Sequence, residues 1–146
     1  MKEICDHCKM GELQYVEEDP PWHTEHFICP VCDSTYNVEI DIVFEADFEI
    51  FDSRFKGCDL EADYSIFKEG KPHHMDIEVD DLTIPVGDEL DFKINGELLA
   101  KVKVARDREA EFDHWSDEDV DFPEIKSGDE LTIWYEGVMV IKGVFR

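Results

Sequence analysis

The sequence predicts a mainly β protein, in which a small metal-held module precedes a small antiparallel β-barrel or sandwich. Three features support this prediction: two Cys-x2-Cys pairs, one long strand of alternating apolar and polar residues, and a repeated hairpin. The chain is 42% hydrophobic and 12% aromatic over 146 residues, which is enough for a folded core despite a formal net charge of −24. We expect one module over residues 1–52 and a second over 53–146.

The first element is a pair of cysteine motifs. Each motif has the two-residue spacing that lets two thiolates meet on one tetrahedral Zn²⁺. Short strands predicted at 12–18 and 23–28 connect the two motifs. Four thiolates leave no open coordination position, so we predict a single structural zinc ion rather than a catalytic one. Its ligands would be Cys5, Cys8, Cys29 and Cys32.

This arrangement resembles the zinc-ribbon superfamily over residues 4 to about 50. The resemblance implies metal binding but no particular activity, because ribbons serve transcription, translation and structure alike. His26 is an alternative ligand, since two residues separate it from Cys29. A second metal site is a weaker hypothesis, because neighbouring histidines on a strand point to opposite faces. Its candidate ligands are His73, His74, His114, Asp76 and Asp113.

The clearest strand covers residues 36–50. Every even position is apolar, and every odd position except Asn37 and Val43 is acidic. This period of two predicts that one face lies in the core and the other in water. Carboxylates would recur about every 6.7 Å along the wet face. Such a row is either a solvated surface or part of a binding surface, formed by Glu39, Asp41, Glu45, Asp47 and Glu49.

The second half of the chain contains an internal repeat. The segment that begins at Ile84 recurs 41 residues later at Ile125, and the similarity continues through both copies. Each copy predicts a β-hairpin, over 84–104 and 125–145, because a glycine supplies the positive φ that a two-residue turn needs. The predicted turns are Asn95-Gly96 and Glu136-Gly137.

Three further segments complete the second module. Strands are predicted at 60–67 and 75–79, which suits a barrel or sandwich of paired hairpins. The segment 105–124 is acidic with interleaved aromatic residues and has no clean helical period. It is either a flexible acidic loop or a protein-contact surface, and its composition favours contact. The predicted contact residues are Asp113, Trp115, Asp117, Glu118, Asp119 and Asp121.

The charge balance restricts the function. A chain with 38 acidic and 14 basic residues repels nucleic acid, so we expect no direct binding to DNA or RNA. We predict instead a protein partner that itself binds nucleic acid. Small acidic proteins of this kind resemble phage-encoded counter-defence proteins, which include DNA mimics and anti-CRISPR inhibitors. The resemblance implies an inhibitor that fills a basic channel, with a Cas effector nuclease as the most specific target.

Two other functions remain open. The chain is alternatively a zinc-ribbon adaptor in a transcription or translation complex, or an ordinary domain of a halophile with an acidic surface. No nucleophile motif or phosphate-binding loop indicates an enzyme. The sequence contains no run of 18 apolar residues, so we predict no membrane span. No apolar signal segment precedes the first cysteine. We therefore expect a cytoplasmic protein, in the host cytoplasm if a phage encodes it.

Overall fold

The computed structural model describes residues 11–12, 14–19, 24–28, 30, 35–118 and 120–146. The four predicted zinc ligands and Asp119 lie outside these residues, so the zinc-ribbon prediction stays a prediction. Short 3-10 turns occur at Ser53–Phe55 and Lys68–Gly70. The strands are β1 (Gln14–Asp19), β2 (Thr24–Ile28), β3 (Thr35–Ile50), β4 (Asp59–Phe67), β5 (His74–Asp80), β6 (Glu89–Ile94), β7 (Glu97–Lys103), β8 (Ala110–Trp115), β9 (Glu130–Tyr135) and β10 (Val138–Phe145).

Eight of these strands form one antiparallel, nearly closed, barrel-shaped sheet in the order β7-β6-β9-β10-β3-β4-β5-β8. Strands β1 and β2 pair with each other, and β2 also pairs with the first residues of β3. The mainly β prediction is therefore confirmed.

The contacts divide the chain into two compact units. The first unit contains Met1–Val43, Ser65–His74 and Trp115–Val120, and the second contains Phe44–Tyr64, Met75–His114 and Asp121–Arg146. Both units are discontinuous in sequence, whereas the modules predicted over 1–52 and 53–146 follow the chain.

The repeated hairpins form as predicted. Strands β6 and β7 are joined through Asn95 and Gly96, with φ values of 49° and 84°. Strands β9 and β10 are joined through Glu136 and Gly137, with φ values of 51° and 78°. Two consecutive positive φ values define the type I′ turn, whose twist matches that of the flanking strands.

The two hairpins pair with each other through a local twofold axis. β6 and β9 are antiparallel, with Asp91 opposite Trp134 and Lys93 opposite Thr132. The 41-residue repeat makes Lys93 the counterpart of Trp134, so exchanging the copies maps one pair onto the other. The backbone at the start of each copy is also repeated. Gly87 donates to the Val104 carbonyl at 2.9 Å, and the counterpart Gly128 donates to Phe145 at 2.7 Å.

The second unit holds a continuous apolar core. Alternation on β5, β6 and β9 places one side of each strand inside and the other outside. Burial of side chains of this size is the main favourable contribution to folding. The fully buried large side chains of the unit are Phe55, Tyr64, Met75, Ile77, Leu82, Leu90, Phe92, Ile125, Leu131, Ile133 and Phe145.

Two expectations need correction. The even face of β3 was expected to lie in the core, yet Ile42 is 45% exposed and the following even positions are half-buried. No strand was predicted in the segment 105–124, yet it contains β8. In this strand Ala110 and Phe112 are buried while Glu111 and Asp113 are exposed. The strand was missed because its alternation is short and lies among many other acidic residues.

Candidate functional site

The most distinctive surface of the second unit is an array of acidic side chains on four neighbouring strands. β3, β4, β5 and β8, which are consecutive in the sheet, each contribute three, counting Glu109 directly before β8. These positions alternate with residues on the core side of the same strands. We call this array the carboxylate face: Glu45, Asp47, Glu49, Asp59, Glu61, Asp63, Asp76, Glu78, Asp80, Glu109, Glu111 and Asp113.

The strand geometry fixes the spacing of this array. Alternate residues on a strand are about 6.7 Å apart, and neighbouring strands are about 4.8 Å apart. Three positions on each of four strands would span roughly 13 by 14 Å on a flat sheet with the positions in register. None of these twelve positions carries a lysine or an arginine. Arg146 forms an ion pair with Asp47 of the face at 3.4 Å, and both side chains are largely exposed.

The crowding changes the protonation of Glu78. A hydrogen bond shared with Asp80, partial burial, and the charges of Glu109 and Glu111 raise the pKa of Glu78 to about 8. Burial and the charge of Asp80 also raise the pKa of Glu109. Because nearby like charges disfavour ionisation, these shifts report how closely the fold holds the carboxylates. The groups titrate together rather than as independent acids.

Two overlapping groups on this face have carboxylate oxygens within 4.8 Å of one another. They are Asp76, Glu111 and Asp113, and Glu78, Glu109 and Glu111. Oxygen ligands of this type suit Ca²⁺ or Mg²⁺ rather than a thiolate-bound zinc ion. Exposed acidic groups of this kind are also common without any ion. Among the described residues, no such group contains a histidine, so the hypothesis of a second site built on His73, His74 or His114 gains no support.

The hairpin half of the sheet has a different charge pattern. Lys101 pairs with Asp91 at 3.2 Å, and Lys142 pairs with Glu130 at 3.1 Å. Lys93 places its ammonium 4.2 Å from the centre of the Trp134 ring. Lysines and acids are thus interspersed on β6, β7, β9 and β10, as ordinary solvated sheets have them.

The predicted contact residues fall into several groups. Glu45, Asp47, Glu49 and Asp113 belong to the carboxylate face, and Asp121 is exposed elsewhere in the second unit. Asp41 is exposed in the first unit, and only the backbone of Glu39 is described. Asp117 and Glu118 are half-buried in the first unit. The Glu118 carboxylate accepts a hydrogen bond from the backbone N–H of Trp115 at 3.0 Å, so this acid has a structural role.

The prediction of Trp115 as an exposed aromatic anchor is wrong. Its side chain is only 7% exposed. It stacks on Phe67 with ring centres 5.3 Å apart and on His74 with ring centres 4.5 Å apart. Phe112 is also buried, at 3% exposure. Aromatic residues interleaved with acids were interpreted as exposed, but alternation along β8 turns Phe112 inward and stacking covers Trp115.

Sequence reasoning missed most of the carboxylate face. Acids at alternating positions of β4 and β5 are visible in the sequence as Asp59, Glu61 and Asp63, and as Asp76, Glu78 and Asp80. Each set is short and looks like an ordinary solvated strand by itself. The sheet order was the missing information.

Cys58 is separate from the predicted zinc ligands. It is half-buried, and its thiol lies 3.7 Å from the backbone oxygen of Asp81. Partial burial raises the pKa of this thiol.

Comparisons with protein-family models, with curated proteins and with solved structures found no match to this chain. Within the described ranges, no helix has the length and apolar character needed to cross a membrane.

Proposed function

We propose that this protein inhibits a nucleic-acid-binding protein by occupying its basic groove with the carboxylate face. The observation that carries the proposal is the segregation of charge over one sheet. Four adjacent strands bear twelve acids and no base at their outward positions, while the other four intersperse lysines with acids.

The charge density supports this proposal quantitatively. Duplex DNA carries one negative charge per about 1.7 Å of its axis. Because the pKa of Glu78 is raised to about 8, the face carries at most eleven charges at neutral pH, which corresponds to roughly 19 Å of duplex. The carboxylate face gathers these charges on four adjacent strands. Lysines and arginines that bind phosphates would meet a comparable field here. Electrostatic attraction of this kind speeds association and makes it sensitive to salt.

Two narrower parts of the proposal concern the partner and the metal. We take a guide-loaded Cas effector nuclease as the specific target to test, because its heteroduplex channel is basic. We further propose that one zinc ion, held by the four N-terminal cysteines, stabilises the N-terminal module without chemistry of its own.

The test is a comparison of two triple variants with the same change in charge. The first carries Glu49→Gln, Glu61→Gln and Glu111→Gln on the carboxylate face. The control carries Glu69→Gln, Glu97→Gln and Glu124→Gln, whose side chains are exposed outside the face. Association rates are measured by surface plasmon resonance against a guide-loaded Cas effector nuclease and a restriction endonuclease. Lysozyme, which is basic but lacks a nucleic-acid groove, serves as the reference.

We expect the face variant to associate at least about tenfold more slowly than the control variant at low salt, because charge complementarity acts mainly on the association rate. A DNA duplex of the nuclease's target should compete with the protein. The proposal fails if neither nuclease binds more tightly than lysozyme, or if both variants lose the same affinity. Binding that depends on the N-terminal cysteines but not on the face would favour the zinc-ribbon adaptor instead.

A further inference from the structure

The open side of the barrel-shaped sheet includes the outer edge of β7. This strand stands at one end of the sheet order, and among the described strands it pairs with β6 alone. Ala100 and Val102 lie on its core side, opposite buried residues of β6, yet both are only half-buried. Leu98 is 53% exposed. Depressions of about 460 and 260 Å³ lie beside the two ends of the strand, so there is open space along this edge.

The internal repeat shows how the corresponding edge is covered in the other copy. β10 is the counterpart of β7, and its outer edge pairs with residues 46–50 of β3. The positions equivalent to Ala100 and Val102 are Ile141 and Gly143, and both are buried. Among the described residues, β7 therefore lacks the neighbouring strand that its counterpart has.

The bulge in β7 is compatible with a further strand. Leu99 is skipped in the register between β6 and β7, just as its counterpart Val140 is skipped between β9 and β10. Bulges and lysines often protect sheet edges from pairing. β10 nevertheless pairs with β3 beside its bulge, and the Val140 carbonyl accepts a hydrogen bond from the Phe51 N–H at 2.8 Å. The repeated backbone at Leu99 offers a strand the same place.

The lysines of β7 indicate the charge of the missing strand. On β10, Lys142 makes an ion pair with β9 on one side and has Glu49 of β3 directly opposite on the other. Lys101 is the counterpart of Lys142 and likewise makes its ion pair with β6. Lys103, two residues further on, is also exposed. Because opposite charges on neighbouring strands attract, acids suit the positions opposite Lys101 and Lys103.

The other end of β7 offers an apolar contact. The larger depression is lined by Leu98 and Leu99 of β7 and by Phe122 and Pro123, which come before β9 in the chain. A strand that runs antiparallel to β7, as β3 runs to β10, passes Lys103 first, then Lys101 and then this depression. The repeat thus specifies both the direction of the strand and the order of its side chains.

We propose that the outer edge of β7 binds an extended segment of a partner protein, in which two acids at alternate positions precede an apolar residue. The acids face Lys103 and Lys101, and the apolar side chain enters the larger depression. Main-chain hydrogen bonds to the edge supply affinity, and the side-chain contacts supply specificity. The site lies on β7 rather than on the carboxylate face, so it stands or fails independently of the inhibitor proposal.

The probe is a fluorescein-labelled peptide with the sequence of residues 45–51, the segment that covers β10. Its control carries lysine at each of the three acidic positions, because Glu109 and Glu111 line the smaller depression and make a basic strand the competing occupant. Fluorescence anisotropy measures binding, and backbone amide shifts in NMR spectra locate it. The diagnostic variant combines Lys101→Glu and Lys103→Glu.

The matched control variant combines Lys56→Glu and Lys126→Glu, which make the same change in charge at exposed lysines outside β7. We expect saturable binding of the acidic peptide with amide shifts concentrated on β7. The β7 variant should bind at least about tenfold more weakly than the control variant, because each reversed lysine replaces an attraction between strands by a repulsion.

Four outcomes would overturn the proposal. The acidic peptide fails to bind, or its shifts fall on β10 because it displaces β3. The lysine peptide shifts β7 as strongly as the acidic one, or the two variants bind the acidic peptide equally. Sedimentation of the protein alone examines a second copy as the occupant, and a dimer that is lost in the β7 variant would assign the edge to self-association instead.

Discussion

Gly143 is the position where a single added methyl group tests the packing of the barrel. It lies directly opposite Phe48 in the β10–β3 pair. A Cβ atom at Gly143 would be 2.7 and 2.9 Å from two ring carbons of Phe48, and 3.4 Å from the Ala46 Cβ. The ring thus covers the space that a side chain would occupy, an arrangement known from glycines in other sheets. Gly143→Ala would force the ring to move by about 0.7 Å to reach ordinary contact.

The expected effect is a balance of two contributions. Overpacking of a filled core costs about 1–3 kcal/mol, whereas replacing glycine by alanine inside a strand gains about 0.5–1 kcal/mol of conformational entropy. The difference between these ranges is roughly 0–2.5 kcal/mol, so we expect Gly143→Ala to lower the free energy of unfolding by about 1 kcal/mol. Gly57→Ala is the control, because no heavy atom lies within 4 Å of its added Cβ and its φ is not left-handed. It should raise stability by about 0.4–1 kcal/mol.

Urea unfolding, followed by circular dichroism, measures both changes. The cause is isolated by repeating Gly143→Ala in a Phe48→Ala background, where the added methyl group has room and should cost nothing. The difference between backgrounds is the coupling energy of the pair, which we expect to exceed about 1 kcal/mol. If Gly143→Ala costs the same with and without the Phe48 ring, the packing argument is refuted.

Three further predictions concern the metal, the titrating acids and the buried indole. Cys29→Ser should lower the zinc content and the melting temperature together, measured by metal analysis and calorimetry, and equal zinc in both proteins would contradict the ligand assignment. The pKa of Glu78 is raised from 4.5 to about 8 in the folded protein, so its ionisation should reduce stability as pH rises through that interval. Glu78→Gln should flatten this pH dependence in urea unfolding, and Glu97→Gln should not. Trp115→Ala should lower the free energy of unfolding by about 3–5 kcal/mol, and a loss below about 1 kcal/mol would contradict its core position.

The sequence predicted those elements whose signal is local. A type I′ turn needs two residues with positive φ, and a glycine at the second position meets that need at Asn95-Gly96 and at Glu136-Gly137. Both hairpins form around these turns. The period of two in β3 correctly places Glu45, Asp47 and Glu49 in water. β8 was missed because its alternation covers few residues and because Trp115, which lies out of phase with Phe112, is buried through stacking on Phe67 and His74. That stacking is tertiary, so no periodicity within the segment reveals it.

The carboxylate face could not be predicted from any one strand, because it forms only when these four strands are neighbours in the sheet. The sheet order places β8 beside β5, although about thirty residues separate these strands in the chain. Because the strands are neighbours, the charges of Glu109 and Glu111 lie close enough to Glu78 to raise its pKa. The resulting repulsion opposes folding, and the apolar core on the other side of the same strands offsets it. A protein that only needed solubility would avoid this cost by interspersing lysines, as its own hairpin half does at Lys101 and Lys142. A polycation bound to the face would relieve the repulsion and favour the ionised form of Glu78, so its binding would release a proton.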